Sequence, residues 1–343
     1  MSSRGFASDN AATVHPEVLV AIERANAGHA FGYGHDPLTE RLHGVLARHF
    51  GETARGFPVW GGSAANVLCL RAACRRWQAA ICAATAHMNV DECGAPEAIA
   101  GVKLISRATE DGKLTPELVE PLIARVGDEH AVQPRLITIS NCTELGTVYT
   151  AEEVRALADL AHERGLLLHV DGARLANAAA SLGCSLGDLV TASGVDLLSL
   201  GGTKNGLLGA EAVVLLRPEL CQGFEFLRKQ TLQLASKMRF LSAQLLALLD
   251  GDLWLRCAGH ANAMAARLAE RLSGVPGVRI TRPVQSNAVF AVLPPGAAEA
   301  LLAEWDFYVW DETAREVRWM CSWDTTEEDV DAFAAAVQRA VQP

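Results

Sequence analysis

Lysine is scarce in this sequence. Of its 30 lysine and arginine side chains only five are lysines, Lys103, Lys113, Lys204, Lys229 and Lys237, and they are scattered. No basic cluster rises above a background whose formal net charge is −10, which argues against a nucleic-acid partner. No apolar run approaches the roughly 20 residues that a membrane-spanning helix needs. The opening stretch MSSRGFASDNAATVHPEVLV holds no apolar core of signal-peptide length. The nine cysteines include no Cys-x-x-Cys pair, and most lie inside apolar runs, so they read as reduced core thiols. Two phosphate-binding signatures are missing as well. GGTKNG is not Gly-x4-Gly-Lys-Ser/Thr, and no Gly-x-Gly-x-x-Gly opens a helix after a strand. His87, Asp91, Glu92 and Cys93 are ligand types, but no second cluster completes a closed site, so no metal is expected. These absences leave a soluble, cytoplasmic protein with small-molecule business as the expectation.

What is present is an alternation. From about Gly56 to Leu216, short apolar runs (GFPVW, AAICAA, VKLIS, PRLITIS, LLLHV, VDLLSL, AEAVVLL) alternate with helical patterns, the signature of βαβ units and a mostly parallel sheet. Thr150 and Glu153 stand at capping-box spacing before the helix AEEVRALADLAHERG. Beyond Pro218 the stretch EFLRKQTLQLASKMRFLSAQLLALLD reads as one long connector helix. The remainder alternates differently, and Thr325 and Glu328 are spaced to cap the closing helix. The expected division is an N-terminal arm and helix over 1–25, a large domain with the connector over 26–252, and a smaller α+β domain over 253–343. A chain of 343 residues, half of them hydrophobic, has material for that many cores.

Ligands of an open parallel sheet bind beyond the carboxyl ends of its strands, and four polar features fall there. Gly61, Gly62 and Ser63 lie between a strand and a helix N-terminus, an anion site made of backbone N–H groups and a hydroxyl. His87 follows the apolar run AAICAA and is expected to end that strand. Asp171 follows LLLHV, with Arg174 about one helical turn on; the same pair reads equally as an N-cap and its ion-pair partner. Lys204 lies in SLGGTKNG, where neither packing nor solubility calls for a lysine. Burial there would depress its pKa and make its amine nucleophilic. Together, an anion cradle, a strand-end carboxylate and a sequestered lysine are what pyridoxal 5'-phosphate requires, and a histidine is available to stack on its ring.

At these residues the sequence resembles a known family. FASDNAATVHPEVLVAI, YGHDPLTERL, GGSAANVLCL, AHMNVDECGAPE, HVDGARLANAAASLG, GGTKNG and VRWMCSWDTTEEDVDAF, in order over nearly the whole chain, are similar to the L-threonine aldolases, in particular to the low-specificity and phenylserine-aldolase branch. The resemblance implies a fold type I, aspartate aminotransferase-like α/β architecture and pyridoxal 5'-phosphate as cofactor. It implies a lyase that cleaves β-hydroxy-α-amino acids reversibly to glycine and an aldehyde. Lys204 would carry the cofactor, Asp171 would pair with its ring nitrogen and His87 would stack on the ring. Gly62 and Ser63 would hold the phosphate, with Thr203 as a helper. Ser8, Arg174 and Arg318 would grip the substrate carboxylate, with Asp9 and Asn10 shaping the same pocket. Tyr33 would reach a neighbouring subunit's site, in a homodimer or homotetramer. The proton acceptor would be His87, Glu92, or a water held by His87 and Glu144. The competing readings are another enzyme on the same scaffold, a β-eliminating lyase or an aminotransferase, and a non-catalytic cofactor-binding protein.

Overall fold

The computed structural model describes residues 5–342; residues 1–4 of the expected arm and residue 343 of the expected small domain lie outside that range. Seven strands form the larger sheet: β1 (Arg55–Val59), β2 (Gln78–Ala83), β3 (Lys103–Arg107), β4 (Gln133–Ser140), β5 (Leu167–Gly172), β6 (Leu197–Leu200) and β7 (Glu211–Leu215). Their order is β1-β7-β6-β5-β4-β2-β3. Only β7 runs against its neighbours, so the run AEAVVLL is an antiparallel partner of β6. The sheet is covered on both faces, which is why its strands read as continuous apolar runs rather than alternating ones. Alternation survives in where the side chains go. Leu136, Leu167, Leu197 and Val213 pack on the face of helix Gly62–Ala73. Ile137, Leu168, Leu198 and Val214 pack on the opposite face, with helices Ala151–Glu163 and Leu175–Leu182.

The second sheet is antiparallel, with β8 (Arg279–Ile280), β9 (Ala288–Val292), β10 (Tyr308–Asp311) and β11 (Glu316–Met320) in the order β10-β11-β9-β8. Helix Leu253–Leu272 bridges the two cores: Trp254 and Cys257 join the core of the larger sheet, while Ala265 and Leu268 join that of the smaller. The N-terminal segment is stitched to the second sheet. Phe6 donates its N–H to Asp306 O (2.7 Å) and accepts from Met320 N–H (2.8 Å). Its ring stacks on Phe333. Asp9 is thereby delivered to the junction of the two sheets.

Three local expectations change. The connector is two helices, Phe224–Gln230 and Arg239–Leu249. Thr231 turns its hydroxyl back onto Leu227 O and Leu232 adopts a left-handed φ of 63°, a break that no glycine or proline announces. The last helix, Glu327–Ala340, is capped by Thr326 with Asp329, one residue later than Thr325 and Glu328. Thr325 is unavailable as a cap because its hydroxyl accepts from Ser322 N–H at 2.9 Å. His87 does not end β2; a turn intervenes, and His87 opens the short helix His87–Val90.

Candidate active site

The loop that carries Lys204 is shaped by what surrounds it. A Cβ on Gly201 would lie 2.4 Å from Ala173 O, and one on Gly202 would lie 2.5 Å from Ala210 O, so both positions must be glycine. One 3₁₀ turn follows, Thr203–Asn205, closed by Gly206 at φ +99°. Glu211, buried at the start of β7, accepts from Gly202 N–H (2.6 Å) and Thr203 N–H (3.3 Å), and Asn205 donates to Trp254 O (3.0 Å). Burial pushes the Glu211 carboxyl above its ordinary pKa. The Lys204 amine, half-buried, makes no hydrogen bond or ion pair among the described residues. The Arg174 charge and then burial hold its pKa below the ordinary lysine value, against Asp9, Asp171 and Glu211.

Asp171 is the penultimate residue of β5, on the face of helix Gly62–Ala73. It caps no helix: Oδ1 accepts from Ala173 N–H (3.0 Å), and Oδ2 from Asn66 Nδ2 (2.7 Å). Arg174 does not pair with it either. The guanidinium grips Asp9 with two hydrogen bonds (Nε to Oδ2, 2.7 Å; Nη2 to Oδ1, 2.9 Å), a bidentate pairing. Asn287 gives Asp9 a further hydrogen bond at 3.0 Å. Burial alone would raise the Asp9 pKa, but Arg174, Lys204 and Asn287 outweigh it and the carboxyl lies below its usual range.

His87 gives its Nδ1 hydrogen to Glu92 Oε1 at 2.8 Å. That contact raises its pKa; burial opposes, and the Asp171 charge adds to the rise. Its backbone N–H meets Glu144 Oε1 at 2.9 Å, and Ser140 Oγ meets the same oxygen at 2.6 Å. Burial lifts the Glu144 pKa above the ordinary carboxylate value. Behind this row His169 lies buried between Thr138 Oγ1 (2.8 Å) and Ser199 Oγ (3.0 Å), its pKa depressed by burial to about 4.

Eight of the residues singled out in the sequence, Ser8, Asn10, His87, Asp91, Glu144, Arg174, Lys204 and Arg318, line one cavity of about 420 Å³. The larger sheet supplies its floor, and β10 and β11 close one side through Tyr308, Trp310 and Arg318.

The chain as a whole is matched by known proteins. A family model described as beta-eliminating lyase matches residues 5–294. The low-specificity L-threonine aldolase of Pseudomonas aeruginosa is 44% identical over 97% of this chain and 96% of its own. That of a Pseudomonas species is 42% identical over 98% and 97%. A solved threonine aldolase of Leishmania major superposes with a TM-score of 0.92 at 31% identity, over 98% of this chain and 99% of that one. The chain belongs to the beta-eliminating lyase family and, within it, to the L-threonine aldolases.

For a threonine aldolase, several residues stand back from the cavity. Asp9, Glu92 and Asp171 are buried behind its lining. Gly62 and Ser63 lie at the start of helix Gly62–Ala73, which has no side-chain cap. Tyr33 lies outside the cavity, half its surface exposed, beneath the Lys229 ammonium at 5.4 Å. Other residues were not foreseen. Tyr308 and Trp310 flank the Arg318 guanidinium at 5.3 and 4.9 Å. Asn66 and Glu211 are polar side chains inside apolar stretches, and that oddity was the one available signal for them.

Proposed function

We propose that this chain is a pyridoxal 5'-phosphate-dependent aldolase that splits β-hydroxy-α-amino acids, such as L-threonine, L-allo-threonine and phenylserine, reversibly to glycine and an aldehyde. The observation that carries the reading is one cavity lined by an unpaired, pKa-lowered lysine, two arginines and a histidine that a buried carboxylate backs. The donor set fits the cofactor. The uncapped amides of Gly62 and Ser63, with open space above Gly61 and Gly62, suit its phosphate, with Thr203 as a helper. Asp171 suits its ring nitrogen, Lys204 its aldehyde and His87 the face of its ring. When bound, the cofactor accepts the electron pair left on Cα as the Cα–Cβ bond breaks.

The remaining steps fall to the chain's own residues. Arg318 has no carboxylate partner among the described residues, and its Nε is buried without an acceptor. It and Arg174 suit the substrate carboxylate, with Ser8 and Asn10 beside them and Asp9 orienting Arg174. Held so, the substrate keeps a fixed orientation for cleavage. With Nδ1 committed to Glu92, His87 has Nε2 free to take the β-hydroxyl proton. Glu144, held by Ser140 and the His87 amide, suits a water or hydroxyl on the same side. Tyr33 is read as serving a second copy's site in a homodimer or homotetramer. No helix among the described residues is long and apolar enough to cross a membrane, which suits a cytoplasmic enzyme. The chain divides near residue 252 into a large and a smaller domain, with helix Leu253–Leu272 packed on both cores.

The family model's description favours β-elimination as the second reading. The two differ in products. The cofactor-loaded protein, given L-threonine and separately L-phenylserine, should yield aldehyde and glycine in equal amounts. Ammonia and a keto acid without aldehyde would replace the aldolase reading by the lyase one.

A further inference from the structure

Asn66 sits in helix Gly62–Ala73, where four of the five residues after it in the run NVLCLR are apolar, and its side chain is buried. Its Nδ2 donates to Glu92 Oε1 at 2.8 Å and to Asp171 Oδ2 at 2.7 Å, so both amide hydrogens are given to carboxylates. Turning the amide round would point its oxygen at two carboxylates, so only this orientation serves. The two acids belong to different tasks, Asp171 to the cofactor ring and Glu92 to His87. Among the described residues no other side chain bonds both.

The junction has no spare donors among the described residues. Glu92 Oε2 and Asn66 Oδ1 are buried without a partner. Glu92 Oε1 therefore receives its two hydrogens from His87 and Asn66 alone. An acceptor so engaged fixes the tautomer of His87 with hydrogen on Nδ1 and the lone pair on Nε2. We infer that Asn66 is a positioning residue that ties the His87–Glu92 pair to Asp171, holding the proton-accepting group and the cofactor ring in one register. The inference rests on the aldolase reading for the task of His87, and on geometry alone for the link itself.

Three variants test it, each followed by thermal melting, by titration with pyridoxal 5'-phosphate and by the pH profile of aldehyde release from L-threonine. Asn66→Ala removes both donors. Asn66→Asp keeps the shape but sets a third carboxylate between two others. Asn66→Ser keeps one short donor and a small, foldable side chain. Losing one charge-assisted hydrogen bond corresponds to about tenfold or more. Cofactor affinity and kcat should each fall by at least about tenfold in Asn66→Ala, with KM changed far less. Asn66→Asp should be worse than Asn66→Ala at neutral pH and recover cofactor affinity as pH falls, because its carboxyl regains a hydrogen to donate. Asn66→Ser should lie between wild type and Asn66→Ala. A residue that merely fills space would rank the other way. Wild-type cofactor affinity and an unmoved pH profile in Asn66→Asp, or in Asn66→Ser should the others not fold, would overturn the inference. If the wild-type protein releases no aldehyde, the aldolase reading fails, while the cofactor titration still decides the Asn66–Asp171 half of the link.

Discussion

His87 is tuned by its neighbours. The hydrogen bond to Glu92 raises its pKa, burial pulls the other way, and the Asp171 charge adds to the rise. A base works only when neutral, so activity should climb as pH rises through the elevated pKa of His87. Glu92→Gln removes the carboxylate charge and lets that pKa fall, so the acid limb of the kcat/KM profile should move to lower pH. Turnover should drop by about 10²-fold as the ring's anchor loses its charge. An unmoved limb would take His87 out of the proton-accepting role. Lys204 is tuned in the opposite direction, by the Arg174 charge and burial. That keeps more of its amine neutral, the form that can bond to an aldehyde.

Each of these side chains is only as well placed as the element that carries it, and the lysine loop shows the dependence best. Two glycines pass under Ala173 O and Ala210 O, and Glu211 receives the amides of Gly202 and Thr203. Glu211→Leu leaves both amides buried without acceptors, at about 1–3 kcal/mol each. The variant should unfold at lower denaturant and turn over more slowly even with cofactor saturating; wild-type stability and turnover would show that the loop holds itself. The sequence made the glycines legible because the residue type itself signals close approach. It made the βα alternation, the strand-end positions of Asp171 and Lys204 and the Thr150–Glu153 capping box legible for a similar reason: each is a pattern over neighbouring residues. Asn66, Glu211, Tyr308 and Trp310 were not legible, because each meets its partner only after the chain folds back, Glu211 and the two aromatics across a turn and Asn66 from a distant strand. The Asn66–Asp171 bond spans 105 positions. The displaced cap at Thr326 has a local cause instead: the Thr325 hydroxyl is taken by Ser322 N–H, three residues earlier.

On the scale of the molecule the site is a seam. The N-terminal segment is bonded to β11 and Asp306, and it presents Asp9 to Arg174 at the end of β5 and to Asn287 beside β9. Asp9→Ala would leave Arg174 with a largely buried, uncompensated charge, a loss of about 3–5 kcal/mol. The melting temperature should fall and KM for the amino acid should rise; an unchanged melting temperature would mean the seam is held elsewhere. Because the folded pKa of Asp9 lies below its unfolded value, its contribution is complete above the ordinary carboxylate range. It is lost as pH falls through the lowered folded value. The account as a whole depends on one of five lysines being the cofactor's covalent partner. The most direct measurement loads the protein with pyridoxal 5'-phosphate, reduces it with borohydride and maps the modified peptide by mass. The account predicts a single pyridoxyl group, on Lys204, and none in Lys204→Ala. A label on Lys103, Lys113, Lys229 or Lys237, or none at all, would contradict it.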